Sequence, residues 1–328
     1  MENKGQTHST ESKKILKKLK VLENIILLVV FLFIAYSLDN YFFTIPVIVS
    51  VLKGTALISV LAMAESIVLA AGGIDLSIAS IGLLSSSIMF FFVEAELTGV
   101  VPAIIVSIIA GGCIGLINGI FVSKLRINPI IVTMSTALFA RGVSGSISNN
   151  IAIFNTKPEF AFFKSVYFSI IPVSCIFTLG IMVFCYLIFR FTVVGRQIFA
   201  VGGSEESSRL CGLKVDRIKT LTYTVAGFIA GIGGILVMSD TLLATRFFSA
   251  SADIEVILAA IIGGVSLFSR ANIFFRACAG AAIIAILNRI LYGLFVFDYM
   301  RAIFIGIIAL IIIATKNSMF KHKNQSNY

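Results

Sequence analysis

Charged side chains stranded inside apolar runs are the residues of this sequence best placed to do chemistry. Glu65 stands within an apolar run from 47 to 71, and Asp75 follows the pair Gly72-Gly73 with Ser77 two residues on. Arg141 and Arg289 lie in or beside later runs. An ionisable residue at the centre of a membrane helix costs about 2.5–3.5 kcal/mol on insertion scales, so it faces a bundle interior, a wet cavity or a partner. Glu65 and Asp75 are therefore candidates for a translocation path or gate, and either arginine could partner a carboxylate. A structural intrahelical pair, or a side chain reaching for the interface, is the plainer alternative. Other chemistry is scarce. The only histidines, His8 and His322, lie in polar tails, and four of the five cysteines (Cys113, Cys175, Cys185, Cys211, Cys278) sit in apolar runs as small hydrophobes. Nothing shows metal-ligand or disulfide-framework spacing. No catalytic residue and no metal site are expected. No Gly-x-x-x-x-Gly-Lys-Ser/Thr loop occurs, and Gly231-Ile-Gly-Gly234 lies in an apolar run with no strand before it, so the chain is not expected to bind ATP itself.

The elements that hold these residues follow from composition. Of 328 residues, 58% are hydrophobic and only 13% charged, against about 25% charged in soluble domains. The expected fold class is all-α, a polytopic transmembrane bundle of about ten helices. Apolar runs place the spans at 24–38, 47–71, 76–93, 100–122, 129–148, 168–189, 220–238, 254–267, 277–292 and 299–315. Lys53 interrupts the second run, and the eighth is short for a span of about 20 residues. Residues 1–23 and 316–328 form polar tails around a transmembrane domain at 24–315, and 190–219 is the longest polar loop. The Lys-rich start ahead of the first run reads as a cytosolic tail before a signal anchor, not a cleavable signal.

The net charge of +10 does not point to nucleic acid, because the basic residues lie between apolar runs. With the N-terminus inside, nineteen Lys and Arg fall in cytosolic segments and three in the opposite loops. That bias orients the chain with both termini cytoplasmic, its basic residues against anionic lipid.

A weak two-half repeat accompanies this plan. Glu65-Ser-Ile-Val-Leu-Ala-Ala-Gly-Gly73 echoes Glu255-Val-Ile-Leu-Ala-Ala-Ile-Ile-Gly263-Gly264, and Ile114-Gly-Leu-Ile-Asn118 echoes Ile284-Ala-Ile-Leu-Asn288. Solute paths in transporters often run between such halves, which adds Asn118, Gly263, Gly264 and Asn288 to the candidates. The segment Ala71-Gly-Gly-Ile-Asp-Leu-Ser77 reads as a tight turn closing the cytosolic side of a path, with Asp75 and Ser77 capping the next helix. A capped helix start alone would look the same. Gly111, Gly115 and Gly119, with Gly227 and Gly231, have the spacing of close helix contacts in lipid.

The loop carries the most specific pattern. Ser204 can cap a short helix with Glu205 and Glu206 in its first turn, and Gly212 can stop it. This amphipathic helix would lie flat on the cytosolic face, in a partner's groove or on lipid. The stretch Gly195 to Gly212, with Gly202, Gly203 and Arg209, resembles the cytoplasmic coupling loop of binding-protein-dependent ABC importers. Its Glu206-Ser-Ser-x-x-x-Gly212 is similar to their Glu-Ala-Ala-x-x-x-Gly pattern, with serines for alanines and without the later Ile-x-Leu-Pro. Val215-Asp-Arg-Ile-Lys219, Gly72-Gly-Ile-Asp-Leu-Ser77, Asn128-Pro-Ile-Ile-Val-Thr133 through Phe139-Ala-Arg-Gly142, and Ile262-Gly-Gly-Val-Ser-Leu-Phe268 resemble the ribose-type branch. The resemblance runs from about 24 to 315. It departs at Asn272-Ile-Phe-Phe275, where glycines are usual, and at Leu287-Asn288-Arg289-Ile290, where the branch has Asn-Asn-Gly-Leu.

The resemblance implies a bacterial inner-membrane permease subunit for a sugar or sugar-like solute. It further implies a cytosolic ABC ATPase subunit on the 195–219 segment, an extracytoplasmic solute-binding protein, and a second permease copy or a sister permease. Two other transport readings remain open: a secondary carrier driven by an ion gradient through Glu65 and Asp75, and an ABC importer of nucleosides or a furanose-like signal molecule. A membrane-embedded enzyme would need a His, Asp or Lys cluster at one interface, and the sequence shows none.

Overall fold

A computed structural model describes residues 25–39, 41–148, 162, 165–239, 251–265, 272–294, 300, 302–307 and 310–311. The two tails, most of the 149–167 stretch, residues 266–271 after the second glycine turn and much of the last expected span lie outside them. The described elements are α1 Ile25–Leu38, α2 Ile45–Ala70, α3 Ile78–Glu94, α4 Val100–Ser123 and α5 Pro129–Ser148, then a hairpin of β1 Val166–Tyr167 and β2 Ile171–Pro172. There follow α6 Val173–Phe191, α7 Val193–Gly203, α8 Glu205–Leu210, α9 Val215–Ser239, α10 Ser251–Ile262 and α11 Ile273–Gly293. The all-α, multi-span class is as expected, the two-residue strands of the hairpin apart.

Among the described residues six helices, α2, α4, α5, α6, α9 and α11, are long and apolar enough to cross a membrane, while α1 and α3 are shorter apolar helices. α2 runs unbroken through Lys53. Three expected spans are corrected in their bounds. The one from 168 begins at Val173, because Phe168 and Ser169 take left-handed backbone and turn the hairpin. The one from 220 begins at Val215, a turn earlier. The one at 254–267 is helical over Ser251–Ile262 among the described residues and ends at the Gly263–Gly264 turn.

The core centres on α2, buried at Gly54 and from Ala56 to Ala70, as a helix apolar all round should be. α9 lies across α2, α3 and α4, and α11 packs on α2 and α10. The α4–α9 crossing explains the glycine spacing. A methyl on Gly115 would stand 2.3 Å from the Tyr223 carbonyl oxygen, and one on Gly227 2.4 Å from that of Gly111. The outer faces of α4, α5 and α6 expose Ile109, Met134, Leu138, Phe139 and Phe184, a surface suited to lipid.

Candidate functional site

α2 ends in a tight closure at the glycine pair. Gly72 has φ +83°, and the N–H groups of Gly72 and Gly73 donate to Leu69 and Val68 at 3.0 Å each. A left-handed residue here satisfies the last carbonyls of the helix. Beyond it, Asp75 Oδ1 accepts from the Ser77 N–H at 2.8 Å and from Ser77 Oγ at 2.5 Å. Asp75 thus shapes the turn, but Ser77 does not cap α3 with its side chain as expected. Its hydroxyl is engaged by Asp75 and by Asn118 Nδ2, which donates to it at 2.9 Å. Glu65 Oε1 accepts from the Asp75 N–H at 3.4 Å. The Leu76 N–H donates to Thr133 Oγ1 at 3.1 Å, and the Tyr223 hydroxyl donates to the Ile74 carbonyl at 3.4 Å. Side chains from α2, α4, α5 and α9 therefore converge on one seven-residue turn. Glu65, Asp75, Ser77 and Asn118 are all at most 1% exposed.

A carboxylate missed from the sequence completes this region. Asp253, at the N-terminal turn of α10, accepts from the Ser80 N–H at 2.9 Å and the Ser80 hydroxyl at 2.7 Å, and pairs with Arg141 at 2.5 Å. Arg141 thus has the carboxylate partner its place in an apolar run predicts; Asp253 carries no such signal, because it precedes an apolar run instead of interrupting one.

The second glycine pair closes in the same manner. Gly264 has φ +85°, and the N–H groups of Gly264 and Val265 donate to Ile261 at 2.9 Å and Ala260 at 3.0 Å. Asn288 Nδ2 donates to Glu255 Oε2 at 2.8 Å. Arg289 is not brought to the Glu65–Asp75 turn: it pairs with Asp39 at 3.1 Å, tying α11 to the residue after α1.

The 190–219 stretch forms the two short helices α7 and α8. Ser204 Oγ accepts from the Ser207 N–H at 3.2 Å, Glu205 and Glu206 occupy the first turn, and Gly212 at φ +81° ends the helix. The start and stop match expectation. α8 is joined to the first turns of α9 by two ion pairs, Arg209–Asp216 and Lys219–Glu205. The hydrogen bond from Arg209 to Asp216 raises the guanidinium pKa further above its already high value. A polar cavity of about 490 Å³ opens between α8, the start of α9 and the α4–α5 connection, lined by Arg126, Asn128 and the four ion-pair residues. Glu206, Leu210 and Gly212 face outward, with Leu210 84% exposed. α7 is pressed on the core at both ends: a methyl on Gly195 would lie 2.1 Å from the Phe189 carbonyl oxygen, and one on Gly202 1.9 Å from that of Ala70. Gly203 follows as the last residue of α7.

The described residues hold no group of three or more His, Cys, Asp or Glu suited to a metal. What the arrangement offers is a polar interior crossed by glycine-closed turns, and a short, capped, largely exposed helix, α8. A multi-span helical bundle with a buried polar interior is the architecture of an integral membrane protein. Residues 47–313 match the family described as the permease component of the branched-chain amino acid transport system, and the chain belongs to that family. It is similar to the ribose import permease protein of Haemophilus influenzae, 28% identical over 89% of this chain and 91% of the relative. It is likewise similar to the ribose import permease protein of Bacillus subtilis, 30% identical over 85% and 88%. The L-arabinose ABC transporter permease protein of Azospirillum brasilense is 34% identical over 66% of this chain and 63% of the relative. No solved structure matches the chain.

Proposed function

We propose that this permease carries a sugar or sugar-like solute into the cytoplasm, driven by ATP hydrolysis on a separate subunit. The observation that carries the proposal is α8, a capped helix whose Glu206 and Leu210 face outward, with Gly212 exposed just beyond it, while its other charges are tied to α9. Such a helix is ready to enter a groove on a soluble partner. The relatives named for ribose and arabinose support a sugar as solute. The excess of basic residues on one side supports an orientation with α7, α8 and both termini in the cytoplasm. In this reading the ATPase engages Gly195 to Lys219, an extracytoplasmic binding protein delivers solute, and a second permease completes the path. The turns at Gly72–Ser77 and Gly263–Gly264 act as gates, with Glu65, Asn118 and Asn288 holding the surrounding polar interior. The full complement of about ten spans, in two related halves, belongs to the same proposal.

Co-purification of the tagged chain with its ATPase from detergent-solubilised membranes tests the reading. Glu206→Arg reverses the one α8 charge that is not tied to α9, and co-purifying ATPase activity is expected to fall about tenfold or more. A wild-type chain that purifies alone and transports on an ion gradient would show the secondary carrier to be right.

A further inference from the structure

We infer that Tyr223 and Gly202 are positioning residues that pass movement of α8 directly to the turn at 71–77. The inference rests on the proposed coupling role of α8 and goes beyond it by naming the contacts through which the turn responds.

The turn is gripped from two sides by residues that flank α8 in the chain. On one side, Gly202 sits near the end of α7 with its Cα against the end of α2; a methyl on Gly72 would lie 3.7 Å from it. Only a residue without a side chain fits at 202, because the Ala70 carbonyl oxygen occupies the Cβ position. On the other side, Tyr223 is 2% exposed. Its hydroxyl donates to the Ile74 carbonyl and would be 2.7 Å from a methyl on Gly73.

The connection from α8 to Tyr223 is short and stiff. Asp216 and Lys219, which hold α8 by its Arg209 and Glu205, lie about two turns and one turn before Tyr223 on the same helix. A load on α8 therefore moves the first turns of α9 and the tyrosine with them. On the turn itself, Ile74 is next to Asp75, whose carboxylate holds Ser77 and through it Asn118. A shift at Ile74 reaches this network within one residue. Coupling of this kind requires the turn at 71–77 to have two arrangements that both ends bias.

The test uses the whole complex in membranes and needs no knowledge of the solute. Ile74, 37% exposed, is changed to Cys in a chain whose five native cysteines are serine, and its labelling by a maleimide is timed with and without ATP and vanadate. With Tyr223 and Gly202 intact, nucleotide is expected to change the labelling rate about fivefold or more, the scale of an allosteric coupling of 1 kcal/mol or above. In Tyr223→Phe, which keeps the ring and its packing, the response should shrink to less than about twofold while the ATPase still co-purifies. Gly202→Ala should do the same by lifting α7 from α2. A full nucleotide response in both variants, or none in the parent chain, overturns the inference and leaves the importer reading intact. Absence of any co-purifying ATPase from the parent overturns that reading first.

Discussion

Gly115→Val is expected to yield little or no folded protein, whereas Gly180→Val should behave as wild type. At Gly115 the first added carbon would lie 2.3 Å from the Tyr223 carbonyl oxygen and 3.1 Å from Gly227 Cα. Both neighbours are backbone, so no side-chain rotation relieves the contact and α4 must move away from α9. Overpacking a core commonly costs about 1–3 kcal/mol, and here the damage extends along the seam. Gly111 meets Gly227 and Gly231, and Gly119 meets Thr220, all through backbone. In lipid no hydrophobic effect pulls helices together, so close packing of small residues is what holds such a crossing. Gly180 has nothing within 4 Å of its Cβ position, and valine there only faces outward. The measurement is the monodisperse fraction on size exclusion after detergent extraction, followed by thermal melting. Equal recovery of the two variants would show that α4 and α9 are not packed this tightly.

What could be read from the sequence, and what could not, divides by range. α8 was legible because its cap, its acidic first turn and its stop all lie within nine residues, Ser204 to Gly212. The glycine ladders were legible because close approach in lipid leaves few alternatives to glycine at that period. The partner of Arg141 was not, since Asp253 lies 112 residues away and beside a run rather than within it. Arg289 and Asp39 are 250 residues apart, and neither has a local pattern that selects the other. Ser77 misled for a local reason: serine before a helix reads as a cap, but Asp75 two residues earlier and Asn118 on α4 compete for the hydroxyl. Span edges failed at the hairpin because Ile170, Ile171 and Pro172 continue the apolar run into a turn set by backbone conformation at Phe168 and Ser169. Periodicity reports burial; it does not report where a chain turns.

Arg141→Leu should be the most damaging single charge removal in the bundle, and adding Asp253→Asn should repair part of the damage. The Arg141 and Asp253 side chains are 15% and 8% exposed, and their 2.5 Å contact links α5 to α10 beside Ser80 of α3. Two hydroxyl and amide donors from Ser80 cannot replace a full positive charge for a carboxylate so far from water. Removing one partner of a buried pair costs about 3–5 kcal/mol, whereas replacing both by neutral groups is often nearly harmless. Asparagine at 253 keeps an acceptor for Ser80 and carries no charge to strand. Asp253→Asn alone is expected to be milder than Arg141→Leu, because the guanidinium has the greater access to solvent. Thermal melting of the purified chain in detergent reads all three variants, and the double variant should fall between wild type and Arg141→Leu. A double variant no more stable than Arg141→Leu would mean that Arg141 holds the bundle through its packing, with the charge of Asp253 contributing nothing.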